Sequence, residues 1–104
     1  MAETIQKISV RDFERLGAAR HPMMQMFVEE LEHYSALEGW YLGVLLRDKS
    51  DNDYSFAVLG PDPAGAKRWI SGGDSVKSID DARARLMALL QKTTEGGKRI
   101  HEQD

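Results

Sequence analysis

The histidines and the acidic side chains are the residues of this chain that could support catalysis or metal binding. His21, His33 and His101 lie far apart, and none belongs to a His-Glu-x-x-His pattern. This spacing favours caps and helix surfaces over a shared ligand set or a catalytic pair. We expect His33 to lie on an exposed helix face beside Glu29 and Glu30.

The acidic stretch from Asp48 to Asp53 resembles the start of a calcium loop. Such a loop needs glycine at its sixth position and a bidentate carboxylate at its twelfth. Counting from Asp51, these positions hold Phe56 and Asp62, and Asp62 lies beyond a predicted strand. Aspartate, asparagine and serine are typical turn residues, so we predict a hairpin turn here and no metal site.

Other catalytic motifs are missing from the sequence. The chain has no cysteine, which excludes disulfides, thiolate zinc sites and cysteine nucleophiles. Gly72-Gly73-Asp74-Ser75 lacks the lysine and the spacing of a phosphate loop, and no serine lies in a nucleophile elbow. We therefore expect a non-enzymatic protein without a cofactor.

A mixed basic and aromatic set is the candidate macromolecule-binding surface. Its members lie on a predicted hairpin and on the following strand: Tyr41, Arg47, Lys49, Lys67, Arg68 and Trp69. On one wet sheet face, the cations could contact phosphates and the rings could stack on bases. Four acidic residues of the same region balance the four cations and favour an ordinary solvated face: Asp48, Asp51, Asp53 and Asp62.

Composition bounds the class of protein. The chain has 104 residues, 41% hydrophobic and 30% charged, which is typical of one globular domain. The net charge of −3 gives no general attraction to nucleic acid or anionic lipid. The N-terminus has no secretory signal pattern, and no apolar run approaches the length of a membrane span. We predict a cytoplasmic protein with no membrane partner.

Two helices are predicted in the N-terminal part, after a flexible lead-in at residues 1–8. Ser9 and Asp12 resemble a capping box at the start of the first helix. Its apolar residues Val10, Phe13 and Leu16 lie on one face, and Gly17 ends it. Pro22 begins the second helix, with apolar residues at helical spacing: Met23, Phe27, Leu31 and Tyr34. The cluster of Met23, Met24 and Met26 fits either a core or an interface.

A three-stranded antiparallel sheet follows. Trp40–Arg47 and Tyr54–Leu59 alternate around a polar turn, which predicts a β-hairpin. Residues 60–65 form a predicted loop, Lys67–Ser71 a short edge strand, and Gly72-Gly73-Asp74 end the sheet. We expect one apolar face against the helices: Trp40, Leu42, Val44, Leu46, Tyr54, Phe56 and Val58.

A C-terminal helix completes the predicted domain. Ser78 and Asp81 form its cap, and its core stripe is Ile79, Ala82, Leu86, Leu89 and Leu90. The polar residues 93–104 predict a disordered tail. The fold class is thus a single α+β domain at residues 9–92, with the order helix, helix, strand, strand, strand, helix.

The chain resembles two groups of proteins. From Pro22 the predicted order resembles the double-stranded-RNA-binding domain, but Ser78-Ile79-Asp80-Asp81 replaces that family's basic cluster, so RNA binding is not implied. Residues 40–48 and 53–62, with the helix after Ser78, also resemble a group of short uncharacterised bacterial proteins. That group has a Trp-x-x-Gly-Val hairpin, present here from Trp40 to Val44, and a C-terminal helix. This second resemblance implies no particular activity.

The predicted function is that of a small non-enzymatic protein-binding module. Because such proteins are often small, acidic and free of motifs, we also consider an inhibitor or regulator of a bacterial complex, encoded by a phage or mobile element. Nucleic-acid binding through the exposed sheet face is one alternative, and a small hydrolase or toxin is another. The partner's identity and the oligomeric state do not follow from the sequence.

Overall fold

Four consecutive strands occupy the middle of the chain, with a helix before them and another after them in the sequence. The computed structural model describes residues 5–18, 27–61 and 67–103, with side chains as far as residue 95. The described elements are β1 (Gln6–Ile8), α1 (Val10–Arg15), β2 (Val28–Ala36), β3 (Tyr41–Asp48), β4 (Tyr54–Pro61), β5 (Lys67–Val76) and α2 (Ile79–Gln103).

The sheet is an antiparallel meander. Its order is β1-β2-β3-β4-β5, so each strand pairs with its neighbour in the chain. The predicted small α+β domain with an antiparallel sheet and a C-terminal helix is confirmed. The predicted number of elements is wrong, because the sheet has five strands rather than three, and one helix rather than two precedes the hairpin in the described residues.

The predicted start of α1 is confirmed. The Ser9 Oγ accepts a hydrogen bond from the Asp12 N–H at 3.1 Å. Phe13 is buried against the sheet, whereas Val10 remains about half exposed. Gly17 lies just beyond the helix at φ 90°, a left-handed conformation that glycine adopts without strain.

The predicted β-hairpin between β3 and β4 is also confirmed. The two strands pair from Leu42 opposite Leu59 to Arg47 opposite Tyr54. The Asp48 N–H donates to the Asp53 carbonyl at 2.7 Å and closes the turn.

The predicted helix from Pro22 is wrong from Val28 onward. Residues 28–36 form β2, while residues 19–26, including the methionine cluster, lie outside the described residues. β2 pairs with β1 on one side and β3 on the other, and this pairing outweighs local helix propensity. The predicted topology that resembled the double-stranded-RNA-binding domain is therefore wrong as well.

The predicted apolar face of the hairpin is wrong, because its members divide between two faces. Leu45 pairs with Phe56, and Leu42 pairs with Leu59. The face under α1 carries Leu42, Val44, Leu46, Ala57 and Leu59, which form one cluster with Phe13 of α1, whereas Phe56 and Val58 lie in the core under α2 with Leu45. A sheet covered on both faces needs apolar residues at consecutive positions of its central strands, which explains the continuous apolar run of β3.

The predicted core stripe of α2 is confirmed. Ala82, Leu86 and Leu90 are fully buried, and the Ser78 Oγ accepts a hydrogen bond from the Asp81 N–H at 3.3 Å. The helix continues beyond Lys92, where we predicted a disordered tail, and Thr94 is fully buried. Among the described residues, no helix has both the length and the apolar character needed to cross a membrane.

Three further boundaries differ from the prediction. β1 pairs with β2 at residues 6–8, where we expected a flexible lead-in. Gly60 and Pro61 end β4 rather than beginning a loop, and residues 62–66 lie outside the described part. β5 extends to Val76 through Gly72-Gly73-Asp74, which we expected to end the sheet.

Candidate functional site

β5 is a long strand at one edge of the sheet. It has ten residues, against three in β1 at the opposite edge. The Lys67 N–H donates to the Gly17 carbonyl at 3.1 Å, and Lys67 forms an isolated bridge with Ala18. Beyond Lys67, no described strand pairs with the outer side of β5. Such an edge offers backbone N–H and C=O groups to another chain.

Two large apolar side chains project from this edge. Trp69 lies opposite Leu59 on the α1 side of the sheet and is 52% exposed. Ile70 occupies a bulge, and its Cδ1 lies near Gly60 on the α2 side, with 50% of the residue exposed. The edge therefore presents apolar surface on both faces of the sheet.

An aromatic groove of about 490 Å³ lies on the α1 side of β5. Phe27, 58% exposed, and Trp69 are its aromatic members. The full lining is Phe27, Val28, Leu46, Asp48, Ser55, Trp69, Gly72, Gly73 and Asp74.

A second, basic groove of about 360 Å³ lies between β5 and α2. Its floor is apolar, and two cations lie on α2 at its rim. The lining is Phe56, Ser71, Gly72, Arg85, Ala88, Leu89 and Lys92.

The glycine pair of β5 separates the two grooves. A Cβ atom on Gly72 would lie 2.4 Å from the Phe56 carbonyl oxygen, and one on Gly73 would lie 2.8 Å from the Phe56 Cζ. Both positions therefore require glycine for close packing on β4. The same absence of side chains leaves the backbone of β5 bare between the grooves.

The six residues of the predicted binding surface do not share one face. Lys67, Arg68 and Trp69 are consecutive in β5, but Trp69 lies on the α1 side and Arg68 is opposite Gly60 on the α2 side. Tyr41 is partly buried with the α2 core. The single wet sheet face that this surface required is thus replaced by a sheet with helices on both faces.

The other two predicted cations lie on the hairpin, Arg47 in β3 and Lys49 in the turn that follows it. The Arg47 Nη2 lies 2.6 Å from the Glu29 Oε2 in a half-exposed pair between β3 and β2. The backbone N–H of Lys49 donates to the Phe27 carbonyl at 2.9 Å. Neither residue lines either groove.

Trp40 and Lys67 form a cation–π contact at the end of the sheet. The Lys67 Nζ lies 5.6 Å from the centroid of the Trp40 ring. Trp40 lies in the turn before β3 and is 41% exposed. The contact lies at the start of β5, where Arg68 and Trp69 follow Lys67 in the chain.

A polar network links β2 to α2. The Arg83 Nε and Nη2 donate to the Glu32 carboxylate at 2.8 and 2.6 Å, and the Tyr34 hydroxyl donates to the same carboxylate. The hydrogen bonds from Arg83 lower the pKa of Glu32 to about 2. Burial, followed by the Glu32 carboxylate, raises the pKa of Tyr34 to about 12. The network stabilises the docking of α2, and none of its members lines either of the two grooves described above.

His33 lies in the interior under α1, so its predicted position on an exposed helix face is wrong. Its Nε2 lies 2.6 Å from the Glu30 Oε1, and its ring is 4.6 Å from that of Phe13. The bulge in β2 between Glu30 and Glu32 changes which face the following residues occupy. His33 therefore contributes to packing under α1.

In the acidic turn after β3, the Asp48 side chain forms hydrogen bonds with residues of the same turn. The Asp48 Oδ1 accepts hydrogen bonds from the Ser50 hydroxyl at 2.7 Å and from the Ser50 and Asp51 N–H groups, and these bonds lower the pKa of Asp48. Within the described ranges, no group of three or more histidine or acidic residues could hold a metal ion.

Sequence reasoning identified Trp69 but missed Phe27 and Ile70. The sequence pattern predicts Phe27 on the apolar side of a helix and Ile70 in a regular edge strand, whereas the structure exposes Phe27 just before β2 and Ile70 at the bulge in β5. A usable signal was the run Trp69-Ile70-Ser71-Gly72-Gly73, which is uncharged although it lies on an edge. Comparisons with protein families, with curated proteins and with solved structures found no significant match to this chain.

Proposed function

We propose that this protein is a non-enzymatic module that binds another protein through the outer edge of β5. The observation that carries the proposal is the exposure of Trp69 and Ile70, each about half exposed, on opposite faces of an edge strand. A partner segment along this edge would cover both side chains and pair with the bare backbone at Gly72 and Gly73.

The energetics of burial support such an interface. Fully burying a large apolar side chain contributes roughly 1.5–3 kcal/mol, so covering the exposed halves of Trp69 and Ile70 contributes about 2 kcal/mol. Phe27 adds a third exposed ring beside Trp69 in the aromatic groove. Tryptophan is also among the residues that most often dominate binding free energy at interfaces.

The location of the perturbed ionisable groups favours binding over catalysis. Glu32, Tyr34 and Arg83 have the largest pKa shifts among the described residues, and all three belong to one ion-pair network between β2 and α2. In active sites such groups typically lie in a cleft. None of these three residues lines either of the two grooves described above.

Nucleic-acid binding is the second candidate, and the Lys67–Trp40 contact favours it. Together with Arg68 and Trp69, this pair could offer phosphate contacts and stacking surfaces. Fluorescence polarisation with labelled duplex and single-stranded oligonucleotides separates the two candidates. We expect no saturable binding near physiological salt. Micromolar, salt-dependent binding that Arg68→Glu abolishes would replace the proposed function.

Affinity capture from the source cells tests the proposal. Immobilised wild-type protein is compared with the Trp69→Ala/Ile70→Ala double variant and with Val10→Ala, which truncates an equally exposed apolar residue on α1. We expect the same captured protein with wild type and Val10→Ala, and its loss with the double variant. Circular dichroism confirms that each variant is folded. Undiminished capture by the folded double variant would refute the proposal.

A further inference from the structure

The basic groove is charged on one side only. Among its described lining residues are Arg85 and Lys92 but no aspartate or glutamate. The two cations are seven residues apart on α2, which separates them by about 10.5 Å along the helix. The Arg85 contact with Asp81 is long, at 3.4 Å, and both side chains are more than half exposed. Such an exposed pair contributes little to stability, and Asp81 itself is not among the lining residues of the groove.

The floor of the same groove is apolar. Phe56, Ala88 and Leu89 line it between the edge strand and the helix. Ser71 and Gly72 form its strand side, where the outer backbone of β5 has no described strand partner. An occupant therefore meets apolar side chains below, cations on one side and a strand edge on the other.

The aromatic groove has the opposite charge. Its described lining includes Asp48 and Asp74 and neither lysine nor arginine. A negatively charged segment would be repelled there and attracted to the basic groove. The charge difference between the two sides of β5 thus selects the face on which an acidic segment lies.

We infer that the partner presents an acidic, extended segment to the basic groove. This inference rests on the proposed function and specifies its partner. In an extended chain every second side chain lies on the same side, so an acidic residue, an apolar residue and an acidic residue at alternate positions span about 13 Å. The two carboxylates then reach Arg85 and Lys92, while the apolar side chain packs against Leu89 and Phe56. The segment's backbone pairs with the outer edge of β5 at Ser71 and Gly72.

Selection from a phage-displayed library of random twelve-residue peptides tests this inference. The full-length protein is the bait, and the Arg85→Glu/Lys92→Glu variant is the counter-selection bait. Arg11→Glu/Arg15→Glu, with the same charge change on the exposed surface of α1, is the matched control. We expect enriched peptides with acidic and apolar residues at alternating positions. Their affinity should fall by roughly tenfold or more for the groove variant, a loss of about 1.4 kcal/mol, and stay within about twofold for the control.

The outcomes separate this inference from the proposed function. Amide chemical-shift changes on binding a selected peptide should include Ser71, Gly72 and Leu89. Enrichment of basic or uncharged peptides, no enrichment, or equal binding to the folded groove variant would overturn the inference. If Trp69 and Ile70 are still required for capture of the cellular partner in that case, the proposed function stands and only the acidic segment is rejected.

Discussion

Phe56 and Trp69 show how adjacent strands hold aromatic side chains in different environments. Phe56 lies in the core under α2, against the position where Gly73 has no side chain. Trp69 lies on the edge strand with about half of its surface exposed. The first residue contributes to stability, and the second is available for binding.

Truncation of these two side chains should therefore have unequal effects on stability. We expect Phe56→Ala to lower the free energy of unfolding by roughly 3–5 kcal/mol, because it removes a buried aromatic ring and leaves a cavity. Trp69→Ala should lower it by about 1 kcal/mol or less, since the exposed half of the ring makes no core contact. Urea unfolding measures both values. Equal losses would place Trp69 in the core and remove it from the proposed interface.

Glu32 should make the stability of the protein depend on acidic pH. Its side chain is 12% exposed, and Arg83 holds its pKa at about 2 instead of the ordinary 4.5. Because the unfolded chain takes up the proton first, the stabilisation is complete above about pH 4.5 and is lost as the pH falls through about 2. The loss is on the order of 3 kcal/mol.

The measurement is the free energy of unfolding of wild type, Glu32→Gln and Glu29→Gln between pH 6 and pH 2. Glu32→Gln should be less stable at pH 6 and should lose less stability on acidification than wild type. Glu29→Gln, which alters the half-exposed pair with Arg47, should retain the wild-type pH dependence. Identical pH profiles for wild type and Glu32→Gln would show that the Glu32–Arg83 pair does not stabilise the fold.

At the scale of the elements, the hairpin, α1 and the core stripe of α2 could be predicted because local signals determine them. Turn residues, caps and helical periodicity all act over a few positions. β2 could not be predicted from the sequence, because Phe27, Leu31 and Tyr34 have helical spacing and the bulge at Leu31 disrupts strand alternation. Only pairing with the adjacent β3 and with β1, whose residues lie 25–29 positions from their partners, makes this segment a strand.

The C-terminal part of α2 provides a test at this scale. Thr94 is fully buried, and its Oγ1 donates to the Gln91 carbonyl at 2.9 Å. Deleting residues 93–104 should therefore lower the melting temperature by several degrees, equivalent to about 1–2 kcal/mol. Deleting only residues 96–104 should change it little, because that segment has a single aliphatic residue, Ile100. Differential scanning calorimetry gives both values, and equal melting temperatures for the two deletions would contradict the role of Thr94.

For the whole molecule, the arrangement of layers explains why β5 is the exposed edge. α1 covers the part of the sheet nearest β2 and β3, and α2 covers the opposite face. The α1 side of β5 therefore keeps an open groove with Trp69 and Phe27. Trp69 could be recognised as a candidate from the sequence, but its groove could not. The groove depends on how β2, β3, β4 and β5 lie together, which no local pattern encodes.

Site-specific photo-cross-linking in the source cells tests the proposed interface most directly. Benzoylphenylalanine is placed at position 69, at position 70 and, as the control, at position 10, where Val10 is 48% exposed on α1. We predict that positions 69 and 70 cross-link to the same protein and that position 10 does not, because a partner along β5 covers both faces of the edge. Equal cross-linking from position 10, or none from positions 69 and 70, would contradict protein binding through β5.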